Sequence, residues 1–232
     1  MAYTTARDLG DDAGTIENPF DLRRERGRDL TTPTHRLTTA VMYELPFGRG
    51  KTWMVDAPQL VDLALGGWQV SLVGYVQSGG YLTPTISVAD PTGTRFTSGT
   101  TRPTVTLRPD QLRDPHVDDP TIDRWFDPTA YAAPPIGRFG TAGRGSIKGP
   151  GLNLWHFGLH KRFRLADSPT APTFRIELTS TNIFNTPQWA APNLNVTPSN
   201  VSAGRISAIG GTAGFIQQAG MRTMRLGMRV EW

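Results

Sequence analysis

Cysteine is absent from this chain of 232 residues. That excludes a disulfide scaffold, a nucleophilic thiol and a thiolate metal site. Long hydrophobic runs are missing as well. Mean hydropathy is −0.33, and no apolar stretch, including the one around Leu63-Ala64-Leu65, approaches the ~20 residues of a membrane-crossing helix. A membrane-crossing β-strand needs only ~9–11 residues with every second one apolar, so low hydropathy leaves a membrane barrel open. Lysine is scarce: all but Lys51, Lys148 and Lys161 of the 24 cationic residues are arginine. The net charge of +4 is modest. The densest basic run, Leu22-Arg23-Arg24-Glu25-Arg26-Gly27-Arg28-Asp29, is broken by acids, which favours a solvated loop over a nucleic-acid patch. No nucleic-acid partner is expected. Residues Met1 to Arg7 lack the apolar core of a secretion signal. Either the protein is cytosolic, or the natural product begins further upstream.

What the chain does have is glycine and proline, 25 and 19 of them, lying mostly between stretches of strict apolar–polar alternation. Successive side chains of a strand point to opposite faces, so such alternation marks a sheet with one apolar and one polar side. In 35–45, Leu37, Thr39, Val41, Tyr43 and Leu45 share the apolar face. In 68–78 it is Trp68, Val70, Leu72, Gly74 and Val76. In 153–165 it is Trp155, Phe157, Leu159, Phe163 and Leu165, and in 173–184 Phe174, Ile176, Leu178 and Phe184. In 221–232 it is Met224, Leu226, Met228, Val230 and Trp232, and 2–8 is a shorter sixth candidate. These strands are about twice the usual ~5–6 residues, and long and shorter connections alternate along the chain. The expected fold is all-β: an antiparallel up-and-down meander of about six long strands, a segment of a transmembrane β-barrel with long extracellular loops.

Strand alternation places Tyr43, Trp68, Phe163, Phe174 and Trp232 at one rim of such a sheet, and Trp155, Phe157 and Phe184 at the other, all on the apolar parity. Aromatics at both strand ends are what a membrane girdle requires. Lys161 and Arg222 fall on the same parity, and both are expected to snorkel toward headgroups.

Two resemblances sharpen this reading. The C-terminal residues Arg225, Gly227, Val230 and Trp232 resemble the assembly signal of bacterial outer-membrane barrels. Over most of the chain, a series of motifs resembles the Oar-like TonB-dependent receptors, outer-membrane proteins with a carboxypeptidase-regulatory-like domain, a plug and a long-looped barrel. The series opens with Asn18-Pro19-Phe20-Asp21-Leu22-Arg23-Arg24-Glu25-Arg26-Gly27, His35-Arg36-Leu37, and Tyr43-Glu44-Leu45-Pro46-Phe47-Gly48-Arg49-Gly50-Lys51. It continues through Gly66-Gly67-Trp68-Gln69-Val70 and Trp125-Phe126-Asp127-Pro128. Last come Phe139-Gly140-Thr141-Ala142-Gly143-Arg144-Gly145, Gly149-Pro150-Gly151 and Asn182-Ile183-Phe184-Asn185. The resemblance implies the C-terminal part of a receptor barrel of about 22 strands, without the signal peptide, regulatory domain, TonB box or plug. It further implies outer-membrane localisation, with lipid, the barrel-assembly machinery and the rest of the barrel and plug as partners, and TonB reached only through the plug.

Motifs for chemistry are few. Phe47-Gly48-Arg49-Gly50-Lys51-Thr52 lacks the first glycine of a phosphate-binding loop and reads as a turn, with a short helix over Pro58 to Leu65. His156 and His160 share the polar face but stand ~13 Å apart along a strand, too far for one metal. Asp114, His116, Asp118, Asp119 and Asp123 suit a solvated loop or, alternatively, a cation. Trp125, Phe126 and Tyr131 could stack on a sugar or pack the loop on itself. The polar-face residues Arg36, Glu44, Arg162, Arg164, Arg175, Glu177, Arg225 and Arg229 suit a hydrated charge ladder, or contact with a plug or an anionic solute. No catalytic set can be assembled, so no enzyme, cofactor or metal is expected. The alternative to a receptor segment is a soluble secreted β-sandwich that binds carbohydrate.

Overall fold

Period-two patterning becomes a single large sheet in the computed structural model, which describes residues 1–11, 16–18, 21–28, 32–87, 107–164, 171–210 and 220–231. In chain order the strands are β1 (Ala2–Thr5), β2 (Leu9–Gly10), β3 (Gly27–Arg28), β4 (His35–Glu44), β5 (Trp68–Gln77) and β6 (Tyr81–Leu82). They continue with β7 (Asp110–Gln111), β8 (Tyr131–Ala132), β9 (Ile147–Lys148), β10 (Leu152–Arg164), β11 (Thr173–Thr181) and β12 (Thr223–Glu231). One short helix, α1 (Gln59–Leu65), precedes β5. Six strands form the sheet in the order β1-β4-β5-β10-β11-β12, and every neighbouring pair is antiparallel. The three other pairs, β2–β3, β6–β9 and β7–β8, are two-residue ribbons inside the connections.

The expected strands are therefore present, with ends that differ for identifiable reasons. β1 stops at Thr5 rather than at position 8; Ala6 adds one more bond to Thr34 (3.0 Å), and Leu9 then turns to pair with Arg28. β11 stops at Thr181 because Asn182 takes the left-handed backbone conformation (φ 50°), which asparagine tolerates better than most residues. Its side chain holds the turn, accepting from the Thr186 N–H (3.0 Å) and donating to the Thr186 and Gly220 carbonyls (2.9 Å each). Phe184 thus sits in a turn beyond the strand. Leu165 and Trp232 lie outside the described residues.

The sheet has two unlike ends. At the link end lie the close of β4, the start of β5, the close of β10, the start of β11 and the close of β12. The 45–67 link spans β4 and β5 there, as a glycine-permitted turn (Gly48 φ 113°, Gly50 φ 71°) followed by α1. Gly67 (φ 71°) is confined further: its carbonyl accepts from the Arg162 N–H at 2.9 Å, and a Cβ would collide with the Arg162 carbonyl.

The connections at the other, loop end are the expected long loops, and they are ordered against one another. Residues 16–18, 21–28, 79–87, 107–151 and 185–210 fold together into a cap. Backbone bonds stitch distant connections together, among them Thr85 N–H to Leu194, Val196 N–H to Thr85, Trp125 N–H to Gly204 and Ile206 N–H to Ile122, at 2.7–2.9 Å. Leu82, Phe126, Ala130, Tyr131, Ala142, Ile147 and Val196 form its buried cluster. The described part of the protein keeps its main apolar core here, beside the sheet's end, rather than against the sheet's apolar face.

Candidate functional site: an uncovered apolar sheet and its loop cap

Residues directly opposed across neighbouring strands project to the same side, so register decides whether the apolar positions of five strands make one surface. They do. One row runs Tyr43–Val70–Leu159–Leu178–Leu226. The next toward the loop end runs Val41–Leu72–Phe157–Ser180–Met224, with Ser180 its single polar member. No second layer covers this side among the described residues. Val41, Tyr43, Met224, Leu226 (78%) and Met228 (72%) are exposed. Water disfavours a contiguous apolar face of this size.

Aromatic rings mark both ends of it. At the link end Phe163 stacks on Phe174 at 5.5 Å, Trp68 opposes Lys161 on the adjoining strand, and Tyr43 stands exposed on β4. At the loop end Trp155 meets Phe184 edge-on at 6.3 Å, and its indole lies over Gly74, where a Cβ would not fit. Val230 opposes Phe174 in the link-end row, whereas Arg225 and Gly227 face the polar side opposite Thr179 and Glu177. Trp232, the fourth member of the terminal motif, lies outside the described residues.

Lys161 behaves otherwise than expected. It has the outward parity, but instead of snorkelling it is 7% exposed, with Nζ donating to the carbonyls of Ala64 (3.0 Å) and Gly66 (2.7 Å) at the C-terminal end of α1. The same ammonium lies 4.7 Å from the Trp68 ring. Unpaired carbonyls at a helix end are natural acceptors for a cation. Arg222, exposed just before β12, bonds through its backbone N–H to Asn185 (3.2 Å).

Charge occupies the opposite face. Arg162, Arg175 and Arg229 lie in one row across β10, β11 and β12. Like charges directly opposed repel; Glu177 offsets this by pairing with Arg175 at 2.5 Å, and Glu231 pairs with Arg229 at 3.4 Å. His156 packs edge-on to Tyr75, and His160 lines a different pocket with Glu44 and Arg162. Among the described residues no group of three His, Cys, Asp or Glu side chains is placed to hold a metal.

In the cap, the acid-rich stretch is not a free loop. Asp114 accepts from the His116 N–H (3.0 Å), and Asp123 pairs with Arg205 (2.6 Å). Asp114, His116, Trp125 and Phe126 come together around a cleft of about 600 Å³. Trp125 is half-buried with its indole N–H donated to the Lys148 carbonyl (2.8 Å), while Phe126 and Tyr131 are core residues. Of the three aromatics considered for ligand stacking, only Trp125 has ring surface left for the cleft.

Compared with known families, residues 1–225 match the model of the outer membrane beta barrel domain. The chain belongs to this family. No curated protein and no solved structure gives a significant match. Membership of the outer-membrane β-barrel family gives the uncovered apolar face its context: the protein resides in the outer membrane, where apolar side chains and interfacial aromatics belong on the outside of a sheet.

The part of this outer-membrane domain that sequence reasoning missed is a buried charge cluster in the cap. Arg108 donates through Nε to Glu17 (3.1 Å), through Nη2 to Glu25 (3.0 Å) and through Nη1 to the Arg24 carbonyl (3.0 Å). Its backbone N–H also reaches Glu17 (2.8 Å). Glu17, Glu25 and Arg108 are at most 3% exposed. A buried charge survives only when paired and fully bonded, and here the pairing joins the first connection to the third. Around it, the bidentate Arg138 holds the Asp110 carboxyl below the usual range against a smaller cost of burial. Burial pushes the Tyr131 hydroxyl up to about 12.

Proposed function

We propose that this domain is wall and mouth of an outer-membrane TonB-dependent receptor of the Oar-like kind. Its apolar face lies against lipid, further strands complete the wall, and its loop cap captures ligand outside the cell. The observation that carries the membrane part is the five-strand apolar face, in register, uncovered and ringed by aromatics at both ends. The motif series from Asn18 to Asn185 supports the receptor part, and the cleft beside Trp125 is the natural place for capture. Uptake would follow from movement of a plug driven by TonB; the cap and wall carry no chemical step and no cofactor.

A polar face rich in arginine lines the interior in this reading, where water or a plug segment satisfies it. The sides of β1 and β12 that no described strand pairs then meet neighbouring strands, because an open strand edge cannot stand in hydrocarbon. The barrel-assembly machinery would read the terminal strand with Arg225, Gly227, Val230 and Trp232.

Two measurements test this. Purified chain should need detergent, and chain that stays monomeric in plain buffer would sink the membrane reading. TonB should co-purify with the product of the complete gene; its absence, with the barrel intact, would leave an outer-membrane barrel of another kind.

A further inference from the structure

The 45–67 link is bonded within itself, yet it exposes large apolar side chains. Phe47 and Trp53 bridge and pack at 5.0 Å, the Trp53 N–H donates to Pro46 (2.9 Å), and the Asp62 carboxylate accepts from the Arg49 N–H (2.7 Å). On this frame Trp53 (56%), Met54, Val55, Leu60 (80%) and Leu65 remain exposed. An ordered soluble turn has no reason to hold so many apolar groups in water.

Their position identifies what covers them. Lys161 and Trp68 both have the outward parity, and both donate to the Ala64 carbonyl (3.0 Å each), so the C-terminal end of α1 sits on the apolar side of the wall. The exposed patch therefore belongs to a link fastened to the lipid-facing side of the sheet, at the end where Phe163 stacks on Phe174. By donating to the Gly66 carbonyl as well, the Lys161 ammonium is held at the end of α1 and off that face. Tryptophan with short apolar segments is the composition of the headgroup boundary.

We propose that the 45–67 link is an interfacial anchor. It lies in the headgroup region of the phospholipid leaflet at the link end, with Trp53, Met54, Val55, Leu60 and Leu65 dipped toward the acyl chains. This rests on the lipid-facing reading of the sheet, and the test separates the two. Because the protein has no cysteine, single replacements V55C, L60C, L226C and D118C can each carry one environment-sensitive fluorophore. Each variant, carried in a barrel completed by its remaining strands, is folded into phosphatidylethanolamine–phosphatidylglycerol vesicles, with and without spin-labelled lipid.

Labels at Val55 and Leu60 should lose fluorescence to shallow spin labels, the label at Leu226 to deep ones, and the label at the fully exposed Asp118 to neither. If Leu226 is quenched while Val55 and Leu60 behave as Asp118 does, the anchor is refuted and the wall stands. Shielding of Val55 and Leu60 from both lipid quencher and aqueous iodide would mean that protein covers the link, which also refutes it. No quenching at Leu226 would overturn the wall reading and the anchor with it.

Discussion

The sheet and the cap obey opposite rules within one chain. In the cap, Phe126 and Leu82 are buried and the connecting backbone is bonded across long distances in sequence. In the sheet, Leu226 and Met228 stand outward and bare. The two regions contain the same kinds of side chain and differ in surroundings. Burial of apolar surface is worth ~25 cal/mol per Å² against water, so a water-bathed cap must turn its apolar groups inward. A wall against lipid gains nothing by doing so, because lipid is as apolar as leucine. The hydrophobic side of a fold is thus defined by its solvent.

Cutting the cap's charge cluster should separate the regions most clearly. Arg108→Ala leaves Glu25 buried without its cation and Glu17 with only the more distant Arg24 at 3.6 Å, and breaking such a buried pair costs about 3–5 kcal/mol. Proteolysis of residues 107–151 should accelerate sharply, while detergent partition and the heat-modifiable migration of the barrel stay unchanged. Simultaneous loss of both would show that cap and sheet fold as one unit.

A cation on the wall should do the converse. Leu226→Arg sits in the central row opposite Leu178 and should cost ~2–4 kcal/mol of folding into vesicles if that row is near the bilayer midplane. Arg225→Leu, on the other face, should cost far less. Equal effects would erase the distinction between the faces.

Gly67→Ala tests the link end. A Cβ there meets the Arg162 carbonyl at a positive φ, so the loss should exceed the ~1 kcal/mol typical of a tolerated glycine replacement. It should appear as a lower midpoint for barrel unfolding, with protease resistance of the cap retained.

The smallest effect concerns pH. The Asp110 carboxyl is held below its ordinary 3.8 by Arg138 and the Thr141 N–H. A depressed carboxylate stabilises the fold above the unfolded value and loses that contribution as pH falls through the folded one. The cap should therefore loosen slightly on acidification below about pH 3.8. In Asp110→Asn that share of the pH response should vanish; a response unchanged from the parent would place the acid sensitivity elsewhere.

How much of this could be read beforehand follows from the range of each interaction. Alternation along His35–Glu44 or Thr173–Thr181 is local, so strand positions, faces and the meander order were legible, as was the helix near Leu63. The cap was not. Its closure depends on Arg108 meeting Glu17 and on Arg24 reaching the Gly140 carbonyl, pairs separated by about half the chain or less and carried by residues that resemble ordinary surface charge. Lys161 was misjudged for the same reason: parity gives the side of the sheet, but not the helix end waiting there.

Sequence by itself therefore determined the wall: which residues make strands, which of their faces is apolar, and where the aromatics gather. A two-residue period needs no partner to be visible. Tertiary structure alone decided what fills the space around that wall. It buried Glu17, Glu25 and Arg108, assembled the cleft beside Trp125, and folded α1 back over Lys161. Each of these depends on contacts between residues far apart in the chain, whose chemistry changes only once water has been removed from around them.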